Sequence, residues 1–188
     1  MAVPLSPLVA RSDDAVLAVA AVRAYSTGFE FELVAVLRRA ERRGYPPWVT
    51  HWHPERHDEE VPDEFIRVGL QLADGSKVTN LDHLVPPGLD KEPRGPVLMM
   101  GRGGGGSRRY DLMYWVWPLP PEGPVTLVLQ CPARSIPQTR LQLDGTAIRE
   151  AASRAVDLWP GEPSMVDDWS PRSAGVLRTP DSADGEPD

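Results

Sequence analysis

The stretch Phe29-Glu30-Phe31-Glu32-Leu33 alternates apolar and acidic residues with a period of two. Successive side chains of an extended strand point to opposite faces, so this period gives a half-buried antiparallel strand rather than a helix. The strand extends over residues 29–38. Phe29, Phe31, Leu33 and Leu37 share one face, and Glu30, Glu32 and Arg38 share the other. Ser26-Thr27-Gly28 supplies turn chemistry just before it. That turn makes residues 15–25 the preceding strand, although their alanines would also suit a helix.

Outward from this pair the pattern repeats. Residues 65–73 and 77–81 read as strands joined by Asp74-Gly75, a two-residue hairpin signal whose turn positions both need positive φ. Residues 96–100, 110–117, 125–131 and 139–143 complete the set. Pro118, Pro120, Pro121 and Gly123 force a corner between two of them. Trp115 and Trp117 flank Val116, and their shared face is expected in the core. From Thr146 the period changes: Ile148, Ala152, Ala155 and Trp159 fall at helical spacing, with Glu150 and Arg154 paired four apart on the outside. Asp144 or Thr146 caps this helix and Pro160 stops it. Strands without alternating helices predict a mainly β fold. The expected form is an antiparallel β-sandwich, or a jelly-roll-like open barrel, with one C-terminal α-helix covering an edge or open end.

The domain plan follows. Residues 1–12 are expected to be a flexible arm, 13–159 the sandwich with its helix at 145–159, and 160–188 a disordered acidic tail rich in Pro, Ser and Asp. The tail's seven acids (Glu162, Asp167, Asp168, Asp181, Asp184, Glu186, Asp188) face only Arg172 and Arg178. It therefore carries −5 of the formal −7, leaving −2 on the body. A nearly neutral body gives no electrostatic reason to expect nucleic acid. The apolar run from Ala15 to Val22 is too short to span a bilayer, and Asp13-Asp14 precede it where a leader needs positive charge. Cys131 is the only cysteine, so no disulfide forms within the chain. A cytoplasmic location is the expectation.

Tyr114-Trp115-Val116-Trp117-Pro118-Leu119-Pro120-Pro121, continued by Gly123-Pro124, Ile136-Pro137 and Leu143-Asp144-Gly145, resembles a recurring uncharacterised group of small β-rich proteins from GC-rich bacteria. The turn Tyr25-Ser26-Thr27-Gly28 and the glycines at 103–106 are similar to that group as well. The resemblance covers about residues 15–159. It implies a single β domain, and it implies no activity and no site residues.

Several constellations carry possible chemistry. His51, His53 and His57 lie close together beside Glu55, Asp58, Glu59 and Glu60. On a strand at 48–53, His51 and His53 would share a face, as two metal ligands require. Gly44, His51, His53, Glu59 and Gly69 loosely resemble the first cupin motif, which would imply a metal-dependent jelly-roll enzyme. Its spacings are too long, Pro54 breaks the strand, and His83 is a poor second-half ligand. A solvated polar loop is the simpler reading. Gly101-Arg102-Gly103-Gly104-Gly105-Gly106 satisfies a dinucleotide fingerprint as a string. However, an aromatic strand follows it where a helix should open, and no P-loop lysine is present. A hairpin connection is expected there, with Arg102, Arg108 and Arg109 as an anion grip.

Trp48 and Trp52 are a candidate contact patch for a protein or a sugar ring, or else a satellite cluster under the loop. Met165-Val166-Asp167-Asp168-Trp169 is an apolar-acidic island of the kind that folds onto a partner or onto the domain itself, and a neutral role is the simpler reading. Nucleophilic catalysis has no support: Cys131 ends an apolar strand, and no serine sits in a Gly-x-Ser-x-Gly elbow. The expected function is a non-catalytic, protein-binding or structural module without a cofactor. Its surface would combine residues 44–60 with 101–109, centred on Trp48, Trp52, Arg102, Arg108 and Arg109. The competing classes are the metal enzyme at His51, His53 and His57, and a carbohydrate-binding module at Trp48 and Trp52.

Overall fold

The computed structural model describes residues 8–40, 60–81 and 95–156. Nine strands and one α-helix occur among them, with a 3-10 turn at Pro132–Arg134: β1 (Leu8–Arg11), β2 (Ala15–Ala24), β3 (Phe29–Leu37), β4 (Arg67–Gln71), β5 (Lys77–Thr79), β6 (Val97–Gly105), β7 (Arg109–Trp117), β8 (Pro124–Cys131), β9 (Ile136–Asp144) and α1 (Gly145–Ala152). They form two antiparallel sheets. The first, here sheet A, has the order β1-β2-β3-β7-β6, and sheet B has the order β5-β4-β8-β9. The expected sandwich with a C-terminal helix is therefore present, with the strands divided between two separate sheets rather than closed into a barrel.

Alternation fixes which face goes inward. Phe29, Phe31, Leu33, Ala35 and Leu37 of β3 are buried together with Leu112, Tyr114 and Val116 of β7. From sheet B, Val68, Leu70, Val125, Leu127 and Leu129 meet them. Phe31 stacks on Tyr114 with ring centroids 5.2 Å apart. The alanine-rich segment is a strand because its apolar residues pair with β3 from Ala15–Leu37 through to Ala24–Phe29. A register shift between Val19 and Ala21 lets Val19 and Val22 both face the core.

One polar stitch joins the sheets. The Asn80 side chain accepts from the Val68 amide and donates to the Ile66 carbonyl, each at 2.8 Å. It also hydrogen-bonds the Tyr114 hydroxyl of the opposite sheet. Burial pushes the Tyr114 phenol far above its ordinary 10.0, and the Asn80 hydrogen bond pulls more weakly the other way. Above pH 10.0 the unfolded chain releases this proton while the folded chain keeps it. Tyr114 should therefore make stability fall with rising pH by about 1.4 kcal/mol per unit. Urea unfolding of Tyr114→Phe across this range should lack that share of the slope. An unchanged slope would mean the phenol is not held in the dry core.

Several local expectations need correction. Residues 8–11 of the expected arm form β1, which pairs antiparallel with β2 at the sheet edge. Apolar Val9 and Ala10 can join the core there, and that offsets the entropy of ordering them. The Asp74-Gly75 hairpin has a three-residue loop, with Leu72 donating to Ser76 and Gly75 donating to Leu72. Only Gly75 takes positive φ (85°), while the Asp74 carboxylate accepts from the Ser76 amide and hydroxyl. The expected glycine loop at 101–106 is mostly strand. Gly103, Gly104 and Gly105 pair with Leu112, Asp111 and Tyr110, after a bulge at Gly101–Arg102. Neighbouring β7 supplies a full ladder, which outweighs the poor strand propensity of glycine.

The helix is also shorter than 145–159. Asp144 caps it by accepting from the Ala147 amide at 3.1 Å, as expected, but α1 ends at Ala152. Arg154 and Ala155 donate to Ala151 and Ala152, three residues back, so the last turn tightens well before Pro160. Ile148, Ala151 and Ala152 are buried, and α1 packs against β2 and β8 at one end of the sandwich. Trp159 and the acidic tail at 160–188 lie outside the described residues, as does the rest of the expected arm.

Candidate functional site

The outer faces of the two sheets differ in chemistry. On sheet B, Arg67, Gln71, Lys77, Thr126, Gln130, Arg140 and Gln142 point away from the core, the usual polar outside of an antiparallel sheet. On sheet A the outward positions include Val16 and Ala18 of β2, Val34 and Val36 of β3, Met113, Trp115 and Trp117 of β7, and Val97 and Met99 of β6. Most of these are only half-buried, and Val36 is 39% exposed. Apolar side chains on the outer face of a sheet are what a contact surface needs.

The Trp115 neighbourhood gives this face its shape. Val116 pairs with Phe29 and is fully buried, so Trp115 and Trp117 point outward, contrary to the expectation that their face is the core. Trp115 and Trp117 share their face of β7 with Met113, Asp111 and Arg109, whereas the opposite face, Tyr110, Leu112, Tyr114 and Val116, carries no charge and is the one buried against the core. Tyr25, 40% exposed, meets Trp115 edge-on with centroids 5.4 Å apart. Gly28 lies beneath this pair, its backbone against Val116 and the Trp115 ring.

Charged groups border the aromatic pair. Arg23 faces Glu30 in register and binds it at 3.1 Å, and reaches Glu32 at 3.5 Å. The Tyr25 hydroxyl hydrogen-bonds the Glu30 carboxylate. Partial burial, then that bond and the charge of Glu30, raise the Tyr25 pKa, while Arg23 and Arg102 oppose the rise. These ion pairs are partly solvated and hold orientation more than they add stability.

The three arginines of the expected anion grip do not converge. Arg102 lies opposite Met113 at the β6 bulge, close enough for its charge to act on Tyr25. Arg109 is tied to Asp111 at 2.7 Å on its own strand, which raises its pKa. Arg108 occupies the β6–β7 turn and donates through Nε to the Leu37 carbonyl at 3.2 Å. The strand-turn-strand geometry spreads them along one edge, because Gly106 donates to Arg109 and closes the turn at Ser107-Arg108. Trp48, Trp52, His51, His53 and His57 lie outside the described residues. Among the described residues no group of three metal-type ligands occurs. Cys131 is buried, which pushes its thiol pKa up, and its sulfur faces the Glu64 carbonyl.

What this site defines is a class: an antiparallel sandwich with an aromatic and methionine-bearing outer face on its five-stranded sheet. No protein-family model, curated protein or solved structure matches the chain. Among the described residues no helix is long and apolar enough to cross a membrane.

Proposed function

We propose that this chain is a non-catalytic protein-binding module whose contact surface is the outer face of sheet A. Tyr25, Met99, Met113 and Trp115 form its centre, and Arg23, Arg102 and Arg109 lie around them. The carrying observation is the asymmetry of the sandwich: apolar and aromatic side chains stand half-exposed on one outer face while the other outer face is polar. Aromatic residues, Met and Arg are the residues enriched where proteins meet, and a preformed sheet presents them at little entropic cost. The adjoining β6 has no strand on its other side among the described residues, so an extended partner segment has backbone groups to pair with there.

Site-specific photo-crosslinking from Val36 and Met99 is the test, since it marks whatever touches this face in cells. A defined protein should be captured from both positions. The surface variant Met99→Glu/Met113→Glu should weaken its binding to the purified module by about tenfold or more, with thermal unfolding unchanged. A captured protein that binds the variant equally well, but is lost on Gln142→Glu in sheet B, would overturn this assignment.

A further inference from the structure

Sheet B carries a second feature that the protein-binding face does not use. Gly69 is an outward position of β4, between Thr79 of β5 and Val128 of β8. With no side chain there, a notch opens in the sheet surface, forming a groove of about 280 Å³. Its walls include Arg67, Gln71, Lys77, Gln130 and Arg140. Register places the charges around the notch. Arg67 lies two residues before Gly69 on the same strand, and Lys77 is opposite Gln71, two residues after it. Arg140 is opposite Val128, two strands or about 10 Å from Gly69, within reach of a long side chain.

Among the described residues these cations are weakly compensated. Arg67 donates through Nη2 to the Val61 carbonyl at 3.1 Å and to Asp63 at 3.4 Å, while its Nε is buried with no partner. Asp63 is itself largely exposed. Lys77 and Arg140 make no ion pair with a described residue. Asp144, at the end of β9, is committed to capping α1. Three cations of one sign around a concavity focus positive potential on it.

We propose that the Gly69 groove is an oxyanion site that takes a phosphate or phosphomonoester group. Arg67 contributes its guanidinium charge at the wall of the groove. Lys77 and Arg140 close on the anion from the two sides, and the Gln71 and Gln130 amides supply neutral donors. This site is independent of the sheet A surface and stands whether or not that surface binds a protein.

Amide NMR titration at constant ionic strength tests it, with inorganic phosphate as one probe and glycerol 3-phosphate as the other. The Gly69 and Thr79 signals should shift saturably, with a dissociation constant of about 1 mM or tighter for at least one probe. Tighter binding of the ester assigns an organic phosphate, and equal binding assigns the free ion. Lys77→Gln/Arg140→Gln removes two exposed cations and should weaken binding about tenfold or more. Gly69→Val fills the notch and should abolish it. The double variant keeps the test decisive if Gly69→Val fails to fold. Shifts that do not saturate with either probe, or that persist unchanged in the double variant, would overturn the proposal.

Discussion

Gly28→Ala should destabilise the protein by about 2–4 kcal/mol, measured by urea unfolding at neutral pH. A Cβ at this position would run into the Val116 carbonyl oxygen and come within 2.7 Å of the Trp115 ring. Neither neighbour yields easily. Val116 is a rung of the β3–β7 ladder, and Trp115 is held by the Tyr25 ring. The turn itself leaves little freedom, because the Tyr25 amide donates to the Gly28 carbonyl at 2.8 Å. The added methyl must therefore push the turn off the sheet or lift Trp115 outward. Trp115 fluorescence should change along with stability, linking the turn to the surface proposed for binding. Gly69→Ala is the control: its Cβ would meet Thr79 Cγ2 at 3.4 Å, an ordinary contact, and stability should move by less than about 1 kcal/mol. Equal effects of the two substitutions would show that close approach is not the reason for Gly28.

Asn80→Ala should cost a similar amount, about 2–4 kcal/mol, through a different cause. It strips an acceptor from the Val68 amide, a donor from the Ile66 carbonyl and the partner of the buried Tyr114 hydroxyl. Alanine returns none of these, and water cannot replace them without opening the space between the sheets. The Asn80 backbone amide still donates to the Val68 carbonyl, so the end of β5 stays attached and the loss reports the side chain. A double-mutant cycle with Tyr114→Phe should give a coupling of about 1 kcal/mol, since the Phe variant no longer needs the Asn80 amide. Additivity of the two changes would show that the hydrogen bond between the sheets contributes nothing.

Both effects arise at residues whose importance is hard to see in the chain itself. Gly28 reads as ordinary turn chemistry, and Asn80 as the polar end of a short strand. Their roles depend on Trp115 and Tyr114, which come from a single strand, β7, far along the sequence. The candidate surface shows the same limit. Trp115 was legible as a strand residue, but its large apolar ring read as core although Arg109 and Asp111 share its face. Arg102, Arg108 and Arg109 were legible as a basic cluster. The β6–β7 ladder then separates them, giving one to Asp111, one to the Leu37 carbonyl and one to the Tyr25 neighbourhood.

The sequence alone determined the fold class and most of the strands, because period-two alternation with Pro and Gly breaks is a local property of each segment. It also narrowed the cap of α1 to Asp144 or Thr146, and the structure shows Asp144 accepting from the amide three residues on. Tertiary structure decided the partition into two sheets and the register of their pairings. It also decided the absorption of residues 8–11 and of the glycines up to Gly105 into strands, and the early end of α1. For the strands the physical reason is shared. A strand completes its hydrogen bonds and buries its face only against a partner, and no stretch of sequence carries its partner's register within it.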